Sequence, residues 1–412
     1  MFLNKNRLRQ VFTLSFLTIL ILSVYSKNLG YPANPYYDEI YHVNRAGAMA
    51  LEGQYPYAAS THPPLWHVFC SLGIALGGYD SAVWRLPSLL SGLIVIFLIF
   101  QLTRQITGDQ RTAFFAAFLF AFDCLSFTQA RMAMLNSMML MFMLASLICY
   151  FRHALDRQWT RGKALWWAGI FVGLAAATKE AAAFLLIMYA VFMTVDCLRE
   201  GKSGTAAVRE YCGFFILLPV AVFLGVHLII PFFKNAAWPD IWKNLTYGYR
   251  SLTITAGHHY GSEWWSWPLM PRPIWYFYEE VSGVVRGILC IGNPAIHWVI
   301  LLSIGYLACA FVGRRDRAGG IILLGFFSQW LPWMFIGRVQ FFHFFYTAMP
   351  FVCMAVAVHL SDLWRQGRGG RVLVAAYLGL VAAMFFYWYP LLTGWPVSHA
   401  FFKQHMWFRS WI

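Results

Sequence analysis

Residues 36–64 read YYDEIYHVNRAGAMALEGQYPYAASTHPP and come shortly after a strongly apolar segment at residues 11–25. The stretch carries two adjacent carboxylates, Asp38 and Glu39, in a chain that is 60% hydrophobic and only 12% charged. Soluble domains have about 25% charged residues, so this composition indicates an integral membrane protein. Acids beside a membrane segment need a reason in such a chain, and we favour chemistry on a substrate that the membrane presents.

Stretches of about 20 apolar residues mark eleven candidate membrane spans. With the N-terminus in the cytoplasm, the short loops on that side hold 18 of the 31 Lys and Arg residues, as the positive-inside rule requires. Asp38 and Glu39 then lie on the outer face of the cytoplasmic (inner) membrane. The net charge of +14 fits contact with anionic lipid. The basic residues are scattered over many loops rather than gathered in one patch, which argues against nucleic-acid binding. The predicted spans lie near residues 11–29, 84–102, 112–127, 134–151, 164–178, 180–198, 211–232, 294–312, 319–337, 342–361 and 372–393.

The spacing of the spans predicts an all-α, multi-pass membrane fold. Helical periodicity in Glu39–Leu51 and Leu65–Leu76 predicts two short amphipathic helices along the membrane surface, within a first outer loop at residues 30–83. The eight cysteines lie mostly in apolar spans without a CxxC pair, which fits small buried side chains rather than a metal or disulfide site. The predicted parts are a seven-span catalytic module at 1–232, an aromatic-rich outer loop at 233–292 and a four-span module at 293–412.

Asp38 and Glu39 are the candidates for catalysis. A carboxylate within hydrogen-bond reach of an acceptor hydroxyl can remove its proton, and partial burial raises the pKa of such a base usefully. Adjacent residues on a helix point about 100° apart, so the two acids cannot do the same job. One acts as the base in this interpretation, and the other positions substrate or a cation.

His42 lies four residues after Asp38, on the same face of the predicted helix. An Asp–His pair at this spacing can orient a base or bind a divalent metal. His62, His67, His258 and His259 are the potential further ligands, but no third ligand is identifiable from the sequence. A divalent metal cofactor therefore stays an open alternative.

Several basic residues lie at the predicted outer ends of the spans, against the positive-inside trend. Placing one such charged side chain in the hydrocarbon costs roughly 2.5–3.5 kcal/mol on insertion scales, so each of these residues needs an anionic partner. That partner is either internal, such as Asp123 or Glu180, or a phosphate or pyrophosphate bound by several cations at one depth. The residues in this group are Arg85, Arg131, Lys179 and Arg338.

A phosphate leaving group held by cations departs without a general acid. One carboxylate base on the acceptor side then suffices for an inverting displacement at a sugar carbon. Glycoside hydrolysis differs, because its poor leaving group requires a second carboxyl as acid. The acids and cations together predict transfer of a sugar from a lipid-linked phosphate.

An ordered set of segments covers most of the chain: YDEIYH, HPPLW, RLPSLLSG, FDCLSFTQARMAMLNSMML, ATKEAAAF, IGNPAIHW and QWLPWMFIGRVQFFHFFYTAMP. This set resembles the protein O-mannosyltransferases, within the GT-C class of membrane glycosyltransferases. The resemblance implies a GT-C-type fold and the transfer of a sugar, usually mannose, with inversion. The implied donor is a polyprenyl phosphate, and the implied acceptors are Ser or Thr hydroxyls of exported proteins.

The resemblance also implies roles for single residues. Asp38 matches the base of the family, and Glu39 matches its second acid. Arg85 matches the arginine before the Pro-Ser element, while Arg131 and Lys179 match basic positions near the carrier phosphate. The other residues expected to contact donor phosphate or substrate are His62, His67, Arg338 and His343.

Two departures from the family pattern concern the substrates more than the reaction. The family usually continues HPP with Leu-Gly-Lys, whereas Trp66 and His67 stand here, so His67 is the expected replacement for a basic contact. Asn136 stands where the family usually has an acid. Both changes leave the sugar and the acceptor open.

Two other functions remain as alternatives. The first keeps the chemistry but uses a lipid or glycan acceptor, as in proteins that resemble aminoarabinose transferases. Those typically have Lys-Pro-Pro where this chain has His62-Pro63-Pro64. The second is a transporter or flippase, but transporters hide charges mid-membrane in broken helices, whereas the charges here gather at one face.

Overall fold

The structure is a computed structural model that describes residues 21–56, 62–234, 242, 246 and 257–412. The described chain is mostly helical, as predicted, and residues 21–26 are the first helical residues in it. The further α-helices are α1 (Glu39–Leu51), α2 (Leu65–Gly77), α3 (Ser81–Thr107), α4 (Gln110–Ala121), α5 (Cys124–Arg131), α6 (Asn136–Ala154), α7 (Arg161–Ala176), α8 (Leu185–Glu200), α9 (Gly204–Tyr211), α10 (Leu218–His227), α11 (Pro294–His297), α12 (Ile300–Arg314), α13 (Arg317–Trp330), α14 (Met349–Arg365), α15 (Arg368–Leu392) and α16 (His399–His405).

Within the described residues, eight helical segments are long and apolar enough to cross a membrane, and the bent pair α4–α5 makes a ninth candidate. The predicted count of eleven is not confirmed. The span predicted at 164–178 is α7, which has only 16 residues, and the span predicted at 11–29 lies largely outside the described residues. The eight segments are Ser81–Thr107, Asn136–Ala154, Glu180–Glu200, Gly204–Phe232, Pro294–Arg314, Arg317–Phe335, Phe342–Arg365 and Arg368–Leu392.

Asp123 explains the bend of 64° between α4 and α5. One oxygen of its buried carboxylate accepts hydrogen bonds from the backbone N–H and the hydroxyl of Ser126, both at 2.8 Å, which caps the start of α5. The other oxygen accepts from the backbone N–H of Asn293 at 3.0 Å. The single span predicted at 112–127 is therefore two helices joined at a buried acid.

The longest helix, α3, has clear start and stop signals. The side chain of Asp80 accepts from the backbone of Ala82 at 2.9 Å and caps its first turn, and Gly108 ends it with a φ of +69°. At Gly92, a Cβ atom would lie 2.4 Å from the Cβ of Ala130, so only glycine allows this close approach of α3 to α5. This contact brings the first turns of α3, which carry Arg85, against the α5–α6 connection.

The two short helices predicted in the first outer loop are confirmed as helices. Helix α1 has the predicted bounds, and α2 ends one residue later than predicted. Helix α2 is joined to α3 by Trp66, whose indole donates to the hydroxyl of Ser88 at 3.0 Å, and Ser88 donates in turn to the carbonyl of Met134 at 2.7 Å. Their position along the membrane surface stays a prediction.

A small antiparallel sheet departs from the all-α prediction. Strands β1 (Ile274–Val281) and β2 (Val284–Cys290) form a hairpin, and β3 (Val397–Ser398) pairs with β2. Ser282 and Gly283 connect β1 to β2 with φ values of +50° and +76°, which a type I′ turn requires. The segment predicted as an aromatic outer loop, 233–292, therefore contains a hairpin.

Hydrogen bonds join the two helical modules that the sequence predicts. The side-chain amide of Asn293 donates to the carbonyls of Phe122 at 2.8 Å and Val381 at 2.9 Å. Tyr389 in α15 donates to the carbonyl of Val24 at 2.8 Å. Both ends of the described chain thus share one core, and the predicted module boundaries at 232 and 293 stay a prediction.

Candidate active site

Asp38 immediately precedes α1, and its carboxylate makes no hydrogen bond to the described part of the chain. Burial raises the pKa of Asp38 above its ordinary value, and the nearby charges of Lys179, His62 and Arg338 partly oppose that shift. A partly buried carboxylate with no protein partner that faces cations is well suited to accept a proton.

Glu39 has entirely different surroundings from its neighbour. It is 0% exposed, and its two oxygens accept from Nε and Nη2 of Arg85 at 2.9 and 2.8 Å. The backbone N–H of Ala133 donates to the same carboxylate at 2.8 Å, and Nη1 of Arg85 donates to the carbonyl of Leu29 at 2.8 Å. In this structure Glu39 holds a cation, Arg85, and both side chains are buried and engaged with each other. Their expected contacts with substrate and donor phosphate stay predictions.

Arg131, at the end of α5, is also engaged internally. It donates to the carbonyl of Tyr25, its guanidinium lies 5.0 Å from the centroid of the Phe127 ring, and it is buried. The expected contact of Arg131 with the carrier phosphate stays a prediction. The contacts of Arg131 hold the N-terminal helix against α5.

Lys179 and Arg338 are the two predicted cations that remain available. Both lie against the ring of Phe344, at 5.8 and 5.7 Å from its centroid. Lys179 donates to the neutral side chain of Asn136 at 2.8 Å, and the buried Nε of Arg338 has no hydrogen-bond partner. Among the described residues, neither cation has a carboxylate within 4.0 Å. Two cations at the end of membrane spans without a direct ion pair are available to a bound anion.

A small cavity beside Lys179 contains further unpaired polar atoms. Nδ1 of His343 and Oγ1 of Thr347 are buried and have no hydrogen-bond partner. Buried polar atoms are nearly always paired, so these two atoms are available to an ordered water or to part of a ligand. The cavity is lined by Asn136, Met139, Lys179, Ala181, Trp333, His343, Phe344, Tyr346 and Thr347.

Strand β1 covers the site from the other side. The ring of Tyr276 lies 4.6 Å from that of Tyr37, which directly precedes Asp38, and 6.0 Å from that of His343. The hairpin therefore closes the region between the predicted base and the predicted phosphate-binding residues. The sequence predicted an aromatic-rich outer loop at 233–292 but not this hairpin.

A chain of hydrogen bonds runs from Lys179 to the hairpin. Asn136 accepts from Lys179 and donates to Gln129 at 2.6 Å, and Gln129 donates to the hydroxyl of Tyr276 at 2.6 Å. Sequence reasoning missed Gln129, Tyr276 and Phe344 as site residues. Gln129 lies in a motif that matches the family, and that was the one signal available for it.

The histidines form a separate cluster. Nδ1 of His42 and Nε2 of His67 lie 3.2 Å apart, and burial lowers the pKa of both side chains, so both imidazoles are neutral. The expected role of His67 in place of a basic contact stays a prediction. Nδ1 of His62 lies 3.0 Å from a carboxylate oxygen of Glu180, which connects the His62-Pro63-Pro64 segment to the turn before α8.

Within the described ranges, no group of three His, Cys, Asp or Glu side chains is arranged to hold a metal ion, so geometry adds no support for metal binding through His42.

Two family models match most of the chain. The model described as dolichyl-phosphate-mannose-protein mannosyltransferase matches residues 61–225. The model described as the C-terminal four-transmembrane region of protein O-mannosyltransferase matches residues 243–411. The two matches follow one another along the chain and include Arg85, Lys179 and Arg338.

Relatives of known function align over nearly their whole length. A polyprenol-phosphate-mannose–protein mannosyltransferase of Mycolicibacterium smegmatis is 27% identical, over 93% of this chain and 89% of the relative. The corresponding protein of Corynebacterium glutamicum is 25% identical, over 92% of this chain and 88% of the relative.

Solved structures share the fold. The Saccharomyces cerevisiae protein O-mannosyltransferase Pmt1–Pmt2 complex bound to the sugar donor superposes with a TM-score of 0.83 at 13% identity, over 100% of this chain and 93% of that chain. ArnT from Cupriavidus metallidurans bound to undecaprenyl phosphate gives a TM-score of 0.62 at 16% identity, over 92% and 71%. The fold is that of the GT-C class of membrane glycosyltransferases. Within that class, the chain belongs to the protein O-mannosyltransferase family.

Proposed function

We propose that this protein is an inverting glycosyltransferase that moves mannose from a polyprenyl-phosphate carrier to Ser or Thr hydroxyls of exported proteins. The observation that carries the proposal is the pairing of unlike groups across one site. The carboxylate of Asp38 makes no hydrogen bond to the described residues, and it faces Lys179 and Arg338, two cations with no carboxylate within 4.0 Å. The names of the relatives supply the donor and the class of acceptor.

The reaction follows from these positions. Asp38 takes the proton of the acceptor hydroxyl, and the acceptor oxygen attacks the anomeric carbon on the face opposite the phosphate. The bond from that carbon to the phosphate oxygen breaks, and its electron pair leaves with the polyprenyl phosphate. Lys179 and Arg338 stabilise the charge that develops on the phosphate, so no general acid is needed. Attack opposite the leaving group inverts the anomeric configuration.

We place this site on the outer face of the cytoplasmic membrane, with the N-terminus inside. The chain is a multi-pass membrane protein, and the ends of the spans remote from Asp38 carry most of the basic residues, in short connections. The α12–α13 connection, with Arg314, Arg315 and Arg317, is one of them. Cytoplasmic loops hold such an excess of Lys and Arg.

The acceptor class can be tested directly with the purified protein in lipid vesicles. We expect mannose from polyprenyl-phosphate-mannose to appear on a Ser/Thr-containing peptide, measured by mass spectrometry. Transfer to a lipid or glycan in place of the peptide would move the protein to the alternative acceptor class. Sugar movement across the vesicle without transfer would support a transporter.

Replacing Lys179 and Arg338 together by Gln should weaken donor binding. Each charge-assisted contact to a phosphate contributes about 1.5–3 kcal/mol. The loss of one of the two contacts should therefore already raise the donor Kd roughly ten- to a hundredfold. Titration of the purified variant with polyprenyl phosphate measures the Kd. The matched control is Arg104→Gln, an exposed side chain at the far end of α3. Unchanged donor affinity in the Lys179→Gln Arg338→Gln variant would refute the phosphate site.

The raised pKa of Asp38 predicts the pH dependence of transfer. A general base acts only when ionised, so kcat should fall as the pH drops through the pKa of Asp38. Because burial raises this pKa, the fall should occur at higher pH than for an ordinary aspartate. Lys179 is the strongest opposing charge, so Lys179→Gln should move the acidic limb of the pH–kcat profile to still higher pH. A limb that stays in place, or moves down, would contradict the electrostatic contact between these two residues.

A further inference from the structure

A second cavity lies at the ends of the spans opposite to Asp38. Helix α6 begins at Asn136, beside Lys179, and its 19 residues carry the chain about 28 Å to Ala154. Towards that far end, α6, α8 and α13 enclose a groove of about 410 Å³. Its walls are mainly apolar, with Phe192 and Phe327 on facing helices.

A polar pocket of about 120 Å³ continues this groove. Arg199, at the end of α8, and Arg317, at the start of α13, line both spaces, as does Asp196. Arg157 adds a third guanidinium to the pocket. An apolar groove thus opens at its end into a basic pocket, and the same side chains mark the junction.

The acids in this region lie against two other cations, Arg161 and Lys202. Asp196 accepts from the hydroxyl of Tyr150 and lies 4.0 Å from Arg161. Glu200 pairs with Arg161 at 3.0 Å and with Lys202 at 2.9 Å. Glu210 pairs with the same two cations, so three carboxylates share Arg161 and Lys202, and at most one negative charge is left for the three arginines of the pocket.

The three arginines of the pocket have no carboxylate within 4.0 Å among the described residues. Arg317 donates to the carbonyl of Ala154 at 3.4 Å, and Arg157 and Arg199 are exposed at the mouth of the pocket. Three like charges held close together repel one another unless an anion joins them. The anion must also have an apolar part, because the pocket continues into the groove.

We propose that this groove and pocket bind an anionic phospholipid of the surrounding bilayer. The headgroup phosphate lies between Arg199 and Arg317, with Arg157 at its outer side, and one acyl chain lies along Phe192 and Phe327. Charge selects the headgroup, and the apolar walls hold the chain. The site is separate from the donor phosphate site, which lies at the other end of α6.

Native mass spectrometry of the whole protein in detergent tests this proposal with two probes of the same chain composition, phosphatidylglycerol and phosphatidylcholine. We expect phosphatidylglycerol to be retained at least ten times more tightly. Arg199→Gln Arg317→Gln should lower its retention about tenfold or more, because each basic side chain near an anionic headgroup contributes measurably. Val195→Trp, which fills the groove, should lower the retention of both lipids. The matched control, Arg368→Gln Arg371→Gln, removes two exposed arginines at the same end and should retain phosphatidylglycerol like the parent.

Three outcomes would overturn the proposal. Equal retention of the two lipids would show that the headgroup charge does not select the ligand. Unchanged phosphatidylglycerol retention in Arg199→Gln Arg317→Gln would show that these arginines do not bind the headgroup. Displacement of phosphatidylglycerol by undecaprenyl phosphate, with loss of undecaprenyl phosphate binding in Val195→Trp, would assign the groove to the tail of the sugar carrier. None of these readouts depends on transferase activity, so they are independent of the proposed function.

Discussion

Asp38→Asn should reduce mannose transfer by at least 10²- to 10⁴-fold while the donor remains bound. A positioned general base typically contributes a factor of this size. Asn has nearly the same shape as Asp, but it cannot accept a proton at any working pH. Because the Asp38 carboxylate makes no hydrogen bond to the described residues, its replacement breaks no structural contact there. Turnover with polyprenyl-phosphate-mannose and a Ser/Thr peptide measures the effect, and titration with polyprenyl phosphate measures donor binding.

Asp80→Asn is the matched control for this substitution. Asp80 caps α3 at the same end of the spans, and Asn caps helices about as well as Asp, so the variant should transfer mannose at the parent rate. Near-normal turnover in Asp38→Asn would refute the assignment of the base. Loss of donor binding in Asp38→Asn would show instead that the carboxylate organises the site.

The sequence predicted the part of the site that depends on local pattern. Helix α1 has the predicted bounds because its apolar positions repeat with helical spacing, and Asp38 precedes its first turn. Lys179 and Arg338 were expected at the outer ends of spans because cations are unfavourable there without a bound anion. Both are free of carboxylate partners in the described structure.

Partner choice could not be predicted, because it depends on contacts between residues far apart in the chain. Arg85 and Arg131 satisfy the same sequence argument as Lys179, yet Arg85 pairs with Glu39, 46 residues away, and Arg131 donates to the carbonyl of Tyr25. Asn136 shows the reverse case: a neutral residue in place of an acid leaves the charge of Lys179 uncompensated.

The hairpin of β1 and β2, unlike these contacts, has a local sequence pattern from which it could have been predicted. The aromatic and β-branched runs of β1 and β2 flank Ser282-Gly283, a two-residue turn of the kind that joins antiparallel strands. High aromatic content in a membrane protein favoured an interfacial loop over this interpretation.

Breaking the buried Glu39–Arg85 pair should have the largest effect on stability. Arg85→Met leaves the Glu39 carboxylate buried with only the Ala133 N–H as a partner, and removing one member of a buried ion pair costs about 3–5 kcal/mol. Glu39→Gln leaves the Arg85 charge unpaired and should cost a similar amount. Arg85→Lys should restore little of the loss, because a lysine cannot form the two-bond fork to the carboxylate. Thermal unfolding of the purified variants measures these changes.

The double variant Glu39→Gln Arg85→Met separates a structural pair from a catalytic one. If each side chain is needed only to neutralise the other, the double variant should be more stable than either single variant, since no buried charge is left unpaired. Its remaining transfer activity should keep the pH profile of the parent, because Asp38 is still the base. A folded, donor-binding Glu39→Gln protein with no transfer, beside an active Asp38→Asn protein, would reverse the roles of the two acids. Additive losses in the double variant would mean that each side chain stabilises the fold through contacts other than their shared fork.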